Sequence, residues 1–467
     1  MTTDASSVER LRQYIREISP EARALLLREL ERGTLAGSRI PGFDLILQEL
    51  RDEQRGSAHS MERLDSPDRR FFQPLAPFLT DDEISQKIHG RINRSSLTKI
   101  WVWLERDLLP VETKAFSEEV AVASIAGDII RADQLTHEFQ TKAVSAIENI
   151  FRQNAADRKS QLKLVSQLGG QQALEALSDV IAILRIRDTL AGFSARLPQQ
   201  IKNLADADLQ SVSALFERPV LRRPEIFPYA LALLFSRLAF PAHLLRLAVA
   251  VCETDSAERI AETPFAFAVD LVLDEMTRLE ARLANDLRKR SIYDVCIGIK
   301  KFHDLARGLT AELDVSVGTR WTKILAQLRA DTANLLRSQI DGLPGQTRKV
   351  LRPRPKDEIT SGAVLDPHEI ADIEASLEIL GACRMCAGEI ALNEITLRVS
   401  SELENCLDTA TQALLDSIRQ ATPQDRAYRQ SQLDAAVRFS AKVFGKRYAE
   451  LLAKAAEVAT QGERRTA

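Results

Sequence analysis

The sequence predicts an all-α protein, a multi-domain array of long antiparallel helices packed as irregular bundles. Three observations carry this reading. Proline is absent from 111–197, 265–343, 368–422 and 424–467, and because an interior proline costs a helix about 3 kcal/mol, these blocks leave room for long uninterrupted helices. They are filled with Leu, Ala, Glu, Arg and Gln, which are good helix formers, while aromatic residues make up only 5% of the chain. No signature recurs at the helical-repeat periods of roughly 34 to 47 residues, which argues against a regular solenoid.

Taken in order, residues 1–52 read as a short N-terminal helical region. Ser19-Pro20-Glu21 offers a capping side chain, a proline at the first helical position and an acid near the positive helix end. Leu25, Leu26, Leu27 and Leu30 then give an apolar face that Gly33 terminates. A third short helix follows Pro41. Residues 53–70 are polar and aperiodic, as in a linker.

The central helical domain is expected over 71–343, with its apolar core around 223–280. Phe71 to Leu79 carries two prolines and reads as an extended strap. Thr80-x-x-Glu83 forms a capping box for a short helix, and Ser95 or Ser96 caps another bearing Trp101 and Trp103. Ser117 and Glu118 open a long helical region to about Asn154, interrupted at most by Gly127, and Gly169-Gly170 ends the next helix. Pro228 and Pro241 stand where new helices begin. Further helices run from Pro264 to about Arg290, on to about Leu313, and from Thr319 to about Leu343. A basic, proline-containing linker is expected over 344–366. A long C-terminal helical hairpin fills 367–460, opened by Asp366-Pro367 and turned at Pro423.

Composition narrows the function classes. Hydrophobic residues at 45% and charged residues at 28% suit a globular chain, and 467 residues suggest two or three domains. A net charge of -3 gives no chain-wide basic field for nucleic acid or anionic lipid. The 47 Arg against 16 Lys fit a GC-rich, bacterial genome. No run free of Asp, Glu, Lys and Arg exceeds eleven residues, short of the roughly 20 a membrane-spanning helix needs. The opening MTTDASSVERLRQYI lacks a secretory pattern, so a cytoplasmic location without membrane insertion is expected. The five Cys are accordingly expected as reduced thiols.

The sequence nominates no catalytic residue. GxxxxGK[ST], GxGxxG, GxSxG and HExxH are all missing, as is any Glu-x-x-His, so no cofactor and no metal are expected. Cys383-Arg-Met-Cys386 lacks the second pair of ligands a structural zinc needs. It lies in a stripe with Ile373, Leu377, Leu380 and Ile390, spaced as one face of a helix.

Two constellations remain as candidates. The acid-free stretch 84–104 carries Lys87, Arg91, Arg94 and Lys99 with Trp101 and Trp103, a set suited to a phosphate or nucleic-acid backbone at a helix start. The favoured reading of that segment is different: its cations meet acids of the long helices and fix how the strap docks. Tyr229, Arg237, His243 and Arg246 in the apolar middle segment suggest a pocket for an anionic small molecule, against a plainer reading as structural ion pairs. RKVLRPRPK (348–356) reads as a solvated linker, with a docking segment for an acidic partner second.

By elimination the expected function is a non-catalytic helical scaffold or adaptor that binds another protein or itself. An enzyme or small-molecule sensor built on the middle-domain pocket is the alternative, and nucleic-acid binding through 84–104 is the less favoured third.

Overall fold

The computed structural model describes residues 66–82, 87–154, 158–315, 319–360 and 363–461, together with isolated positions between Tyr14 and Leu50. Eighteen α-helices run through the described residues, and the only sheet among them is a pair of two-residue strands, β1 (Leu79–Thr80) and β2 (Ile92–Asn93). The protein is all-α. No helix of the described residues is long and apolar enough to cross a membrane.

The chain forms two compact units, one from residues 1–79 and 94–200, the other from 80–93 and 201–467. The sequence reading placed linkers at 53–70 and 344–366 instead. Residues 51–65 lie outside the described set, but Pro67–Phe72 is a helix, α1, with its proline in the first turn. Leu343–Leu351 is likewise helical, α14.

In the first unit, Phe71 to Phe78 does not run as an extended strap. It finishes α1 and continues as a 3-10 turn, Gln73–Phe78, which buries Phe71, Phe72, Leu75 and Phe78. The tight turn tolerates Pro74 and Pro77, and helical spacing is what turns all four apolar side chains inward. Helix α2 is Arg94–Trp103, passing into a π-helical turn at Leu104–Leu108. Ser95 and Ser96 therefore sit inside its first turn and do not cap it. Helix α3 (Pro110–Ala126) opens at Pro110, about two turns before Ser117. Gly127, at φ 71°, ends it in the left-handed conformation glycine tolerates.

Helix α4 (Ile129–Asn154) buries Ala132, Leu135, Thr136, Phe139, Gln140, Ala143, Val144 and Ile147, a stripe at three- and four-residue spacing. Helices α5 (Arg158–Gln167) and α6 (Gln171–Ser194) are separated by Gly169 and Gly170, both at positive φ. The core is aromatic: Phe139 stacks on Phe116 at 4.5 Å and meets Phe71 at 5.3 Å, and Trp101 lies 5.7 Å from Phe71. Gln140 donates to the Phe71 carbonyl at 2.8 Å, satisfying a buried backbone group. In the N-terminal region Leu27 is buried with Ile15 and Leu50, and Leu30 is partly so. Leu25 and Leu26 face solvent. Ala22 N donates to Ser19 Oγ, as a cap requires; Gly33 and Pro41 fall outside the described residues.

The second unit opens with α7 (Asp206–Phe216), α8 (Phe227–Arg237), α9 (His243–Cys252) and α10 (Ala257–Ala261). Helix α8 buries Phe227 and every residue from Tyr229 to Phe235. Helices α11 (Ala266–Lys289), α12 (Ile292–Glu312) and α13 (Arg320–Ile340) follow closely the ends read from sequence, and Thr319 Oγ1 caps α13 by accepting from Thr322 N. Helix α14 turns Leu343, Thr347, Val350 and Leu351 inward beneath its charged surface. Asp366 caps α15 (Pro367–Cys386), taking the His368 N–H at 2.9 Å.

The expected C-terminal hairpin is four helices. Helix α16 (Asn393–Arg419) is separated from α15 by a turn in which Ala391 adopts φ 57° while Ile390 and Leu392 are fully buried. Gly445, at φ 92°, parts α17 (Arg426–Val443) from α18 (Lys446–Gln461).

Candidate functional site

Lys87 and Arg91 belong to the second unit, whereas Arg94, Lys99, Trp101 and Trp103 belong to the first. Trp103 is buried, Trp101 sits in the aromatic core, and Lys99 Nζ donates to the Gly169 carbonyl at 3.5 Å. Lys87 is exposed and Arg94 half-buried. Neither indole is therefore a free stacking platform for bases.

Arg91 enters a buried ion network within the second unit. Its guanidinium lies 3.6 Å from Asp274 and 3.5 Å from Glu275, both on α11, and sits over the Phe235 ring at 4.7 Å. Arg278 reaches Asp274 at 3.0 Å, Asp82 at 3.3 Å and Glu275, and donates to Thr80 Oγ1 at 3.1 Å. Arg282 pairs with Glu275 at 2.8 Å and Asp82 at 3.3 Å. Three cations thus face three carboxylates, and they tie the segment 80–93 to α11.

Burial and the neighbouring Arg278 hold the Arg91 guanidinium down to about 10. Burial also raises the Asp274 carboxyl, more than Arg278 and Arg91 lower it. At Glu275 the same burial is outweighed by Arg278, Arg282 and Arg91, which keep that carboxyl below its ordinary value. Every member has an opposite charge beside it, which buried ions require. Thr80 accepts from Asp82 N, so it makes a local turn; Glu83, the other half of the expected capping box, lies outside the described residues.

The middle-segment residues meet different partners. Tyr229 is buried, with its hydroxyl 3.5 Å from His89 Nδ1. Arg246 is engaged by Glu312 at 2.8 Å. Burial, then Arg246, holds His243 below its ordinary value, and its ring rests 5.5 Å from Phe240. Burial likewise lowers Arg237. Cys383 and Cys386 are buried on the core-facing stripe of α15, together with Ile373, Leu377 and Leu380, and Ile390 is buried in the turn that follows. Burial pushes the Cys383 thiol up to about 12, so the reactive thiolate is suppressed at neutral pH. Among the described residues no three His, Cys, Asp or Glu side chains are grouped to hold a metal.

What the sequence reading missed is a surface groove on the α3–α4 helix pair, of about 410 Å³. Val122, Ala123 and Ala126 of α3 and Leu135 of α4 floor it, and Glu118, Glu119, Asp128 and Arg131 rim it. Arg131 is partly neutralised by Glu119 at 3.5 Å, and its backbone N–H is capped by Asp128 at 3.0 Å. On the same two helices Val111, Val122, Ile129 and Ile130 are 76%, 68%, 65% and 74% exposed. Single exposed aliphatics are ordinary, but four on one helix pair, one of them in its groove, add to the water-facing apolar surface of these two helices. The signal was present in α3, whose apolar residues are distributed around the whole helix; such a helix has more than one face to cover.

No protein-family model, no curated protein and no solved structure matches the chain.

Proposed function

We propose that the protein is a non-catalytic helical scaffold or adaptor that holds another protein against the α3–α4 pair of its first unit. The observation that carries this is Val122, exposed in the groove of that pair, together with Val111, Ile129 and Ile130, exposed elsewhere on the same two helices. Covering such side chains contributes about 25 cal/mol for each Å² removed from water, which is the main favourable term in association. The acids of the rim then select the partner's orientation more than they add affinity. The charged clusters elsewhere support the same reading, since Arg91, Arg278, Arg282 and Arg246 are occupied by the protein's own carboxylates.

The test is co-purification from the source cell with full-length protein and the Val122→Glu and Ile130→Glu variants, alongside light scattering for self-association. A partner retained by the wild type and weakened about thirtyfold by either charge, with unchanged melting temperature, is the expected result. A partner held equally by all three proteins places the interface elsewhere, and a strictly monomeric protein with no partner removes the scaffold reading.

A further inference from the structure

A second groove, in the second unit and independent of the α3–α4 reading, lies between the end of α14 and the middle of α16. Its volume is about 570 Å³, within the range of small-ligand sites. One wall carries Arg348, Leu351, Arg352 and Pro353; the other is a single face of α16 that includes Asn405, Cys406, Thr409, Ala410 and Ala413. The two walls differ in chemistry. Small side chains on α16 leave an apolar trough, while the α14 wall sets two guanidinium groups one helical turn apart at its edge.

Those two cations differ from the paired arginines of this unit, such as Arg278, Arg282 and Arg398. Among the described residues neither Arg348 nor Arg352 has a carboxylate partner, and Arg348 reaches only the Cys406 thiol. The neighbouring Lys349 is paired with Glu369 at 2.8 Å, and Glu402, the acid in the groove lining, is already engaged by Arg398 at 3.4 Å. The end of α14 is also fixed. Gln432 donates through Nε2 to both the Val350 and the Arg352 carbonyls at 2.9 Å, and Arg354 stacks over the Tyr428 ring at 5.4 Å. Two exposed arginines four residues apart can both reach one carboxylate or phosphate, and the backbone that carries them is held.

We infer that this groove binds a single-chain amphiphile with one anionic head, the head held by Arg348 and Arg352 and the chain laid along Pro353, Ala410 and Ala413. Asn405 and Thr409, one turn apart on the opposite wall, supply neutral hydrogen bonds to the head's remaining oxygens. At roughly 30 Å³ per water-sized group, the groove volume of about 570 Å³ has room for a head and a chain of about a dozen carbons.

The test uses the full-length protein and dodecanoate as probe, with dodecanol as its uncharged counterpart, followed by titration calorimetry. Wild type is expected to bind one dodecanoate per chain, and the Arg348→Ala/Arg352→Ala double variant to bind it at least about tenfold more weakly. Ala413→Trp, which fills the trough from an exposed position, is expected to abolish binding, and both variants should melt as the wild type does. Absence of saturable binding, or binding unchanged in both variants, overturns the site. Dodecanol binding as tightly as dodecanoate, or loss of binding in the Trp variant alone, overturns the anionic assignment. Neither outcome bears on the α3–α4 face, because no residue is shared.

Discussion

At the scale of single residues the protein concentrates its electrostatics in a few buried cations. Arg278 is 6% exposed and touches Asp82, Asp274 and Glu275 at once. Replacing it with alanine leaves three carboxylates short of a cation, and the expected cost is about 3 to 5 kcal/mol, read by urea denaturation. Asp425 gives a pH-dependent counterpart. It is 2% exposed, accepts from Thr422 N at 2.6 Å and from Thr422 Oγ1 at 2.7 Å, and pairs with Arg429 at 2.6 Å. Burial alone would raise its carboxyl, but the bonds from Arg429 and Thr422 hold it down to about 2. A carboxyl depressed in the folded state contributes stability above its unfolded value of about 3.9, and that contribution is lost as pH falls towards 2. Asp425→Asn should therefore flatten the loss of stability between pH 4 and 2, visible as a smaller drop in melting temperature than the wild type shows.

At the scale of elements, helix packing decides where glycine is required. Gly308 of α12 lies against the residue that precedes α9: a Cβ added there would overlap the Ala242 Cβ, an atom fixed to its backbone. Gly308→Ala gains about 1 kcal/mol of helix propensity but forces the two segments apart, so a net destabilisation of about 1 to 3 kcal/mol is expected in thermal denaturation. Gly192 of α6 and Gly381 of α15 have open space where a methyl would stand, and alanine at either should stabilise by up to about 1 kcal/mol. The helices themselves were legible because caps and breaks are local chemistry: Thr319, Asp366, Gly127 and Gly169-Gly170 act within one turn. What escaped was where packing overrides local signals. Phe71 to Phe78 has the prolines of a strap yet coils to bury its aromatics, Leu343–Leu351 looks like a basic linker until its apolar face is seen, and the turn after Cys386 takes its positive φ at Ala391 and not at its glycine, Gly388. Of the candidate residues, Arg91 was recognisable as a cation needing acids, but its partners lie about 180 residues away in sequence, a distance no periodicity spans.

At the scale of the whole chain, the two units are interleaved in sequence, since residues 80–93 belong with 201–467. A fragment beginning at Ile201 would keep Asp274, Glu275 and Arg278 but lose Arg91, Asp82 and Thr80. It should melt below the full chain, and a synthetic peptide covering 80–93 added in excess should raise its melting temperature. No rise at any peptide concentration would show that covalent continuity, and not the ion network, is what α11 requires.

The same interleaving bears on how the protein is made. When Arg91 leaves the ribosome, its carboxylate partners on α11 are still about 180 residues from being synthesised, which at about 5 to 20 residues per second is roughly 10 to 40 seconds. During that interval the charges of 80–93 stay hydrated, and the residues of the first unit on either side of them are free to close around a loop that has nothing to join. The second unit then completes itself by recruiting a segment whose neighbours have already folded. Slowing translation between 94 and 200 should leave the final yield unchanged, whereas a stall just before α11 should accumulate chains cleavable by protease within 80–93.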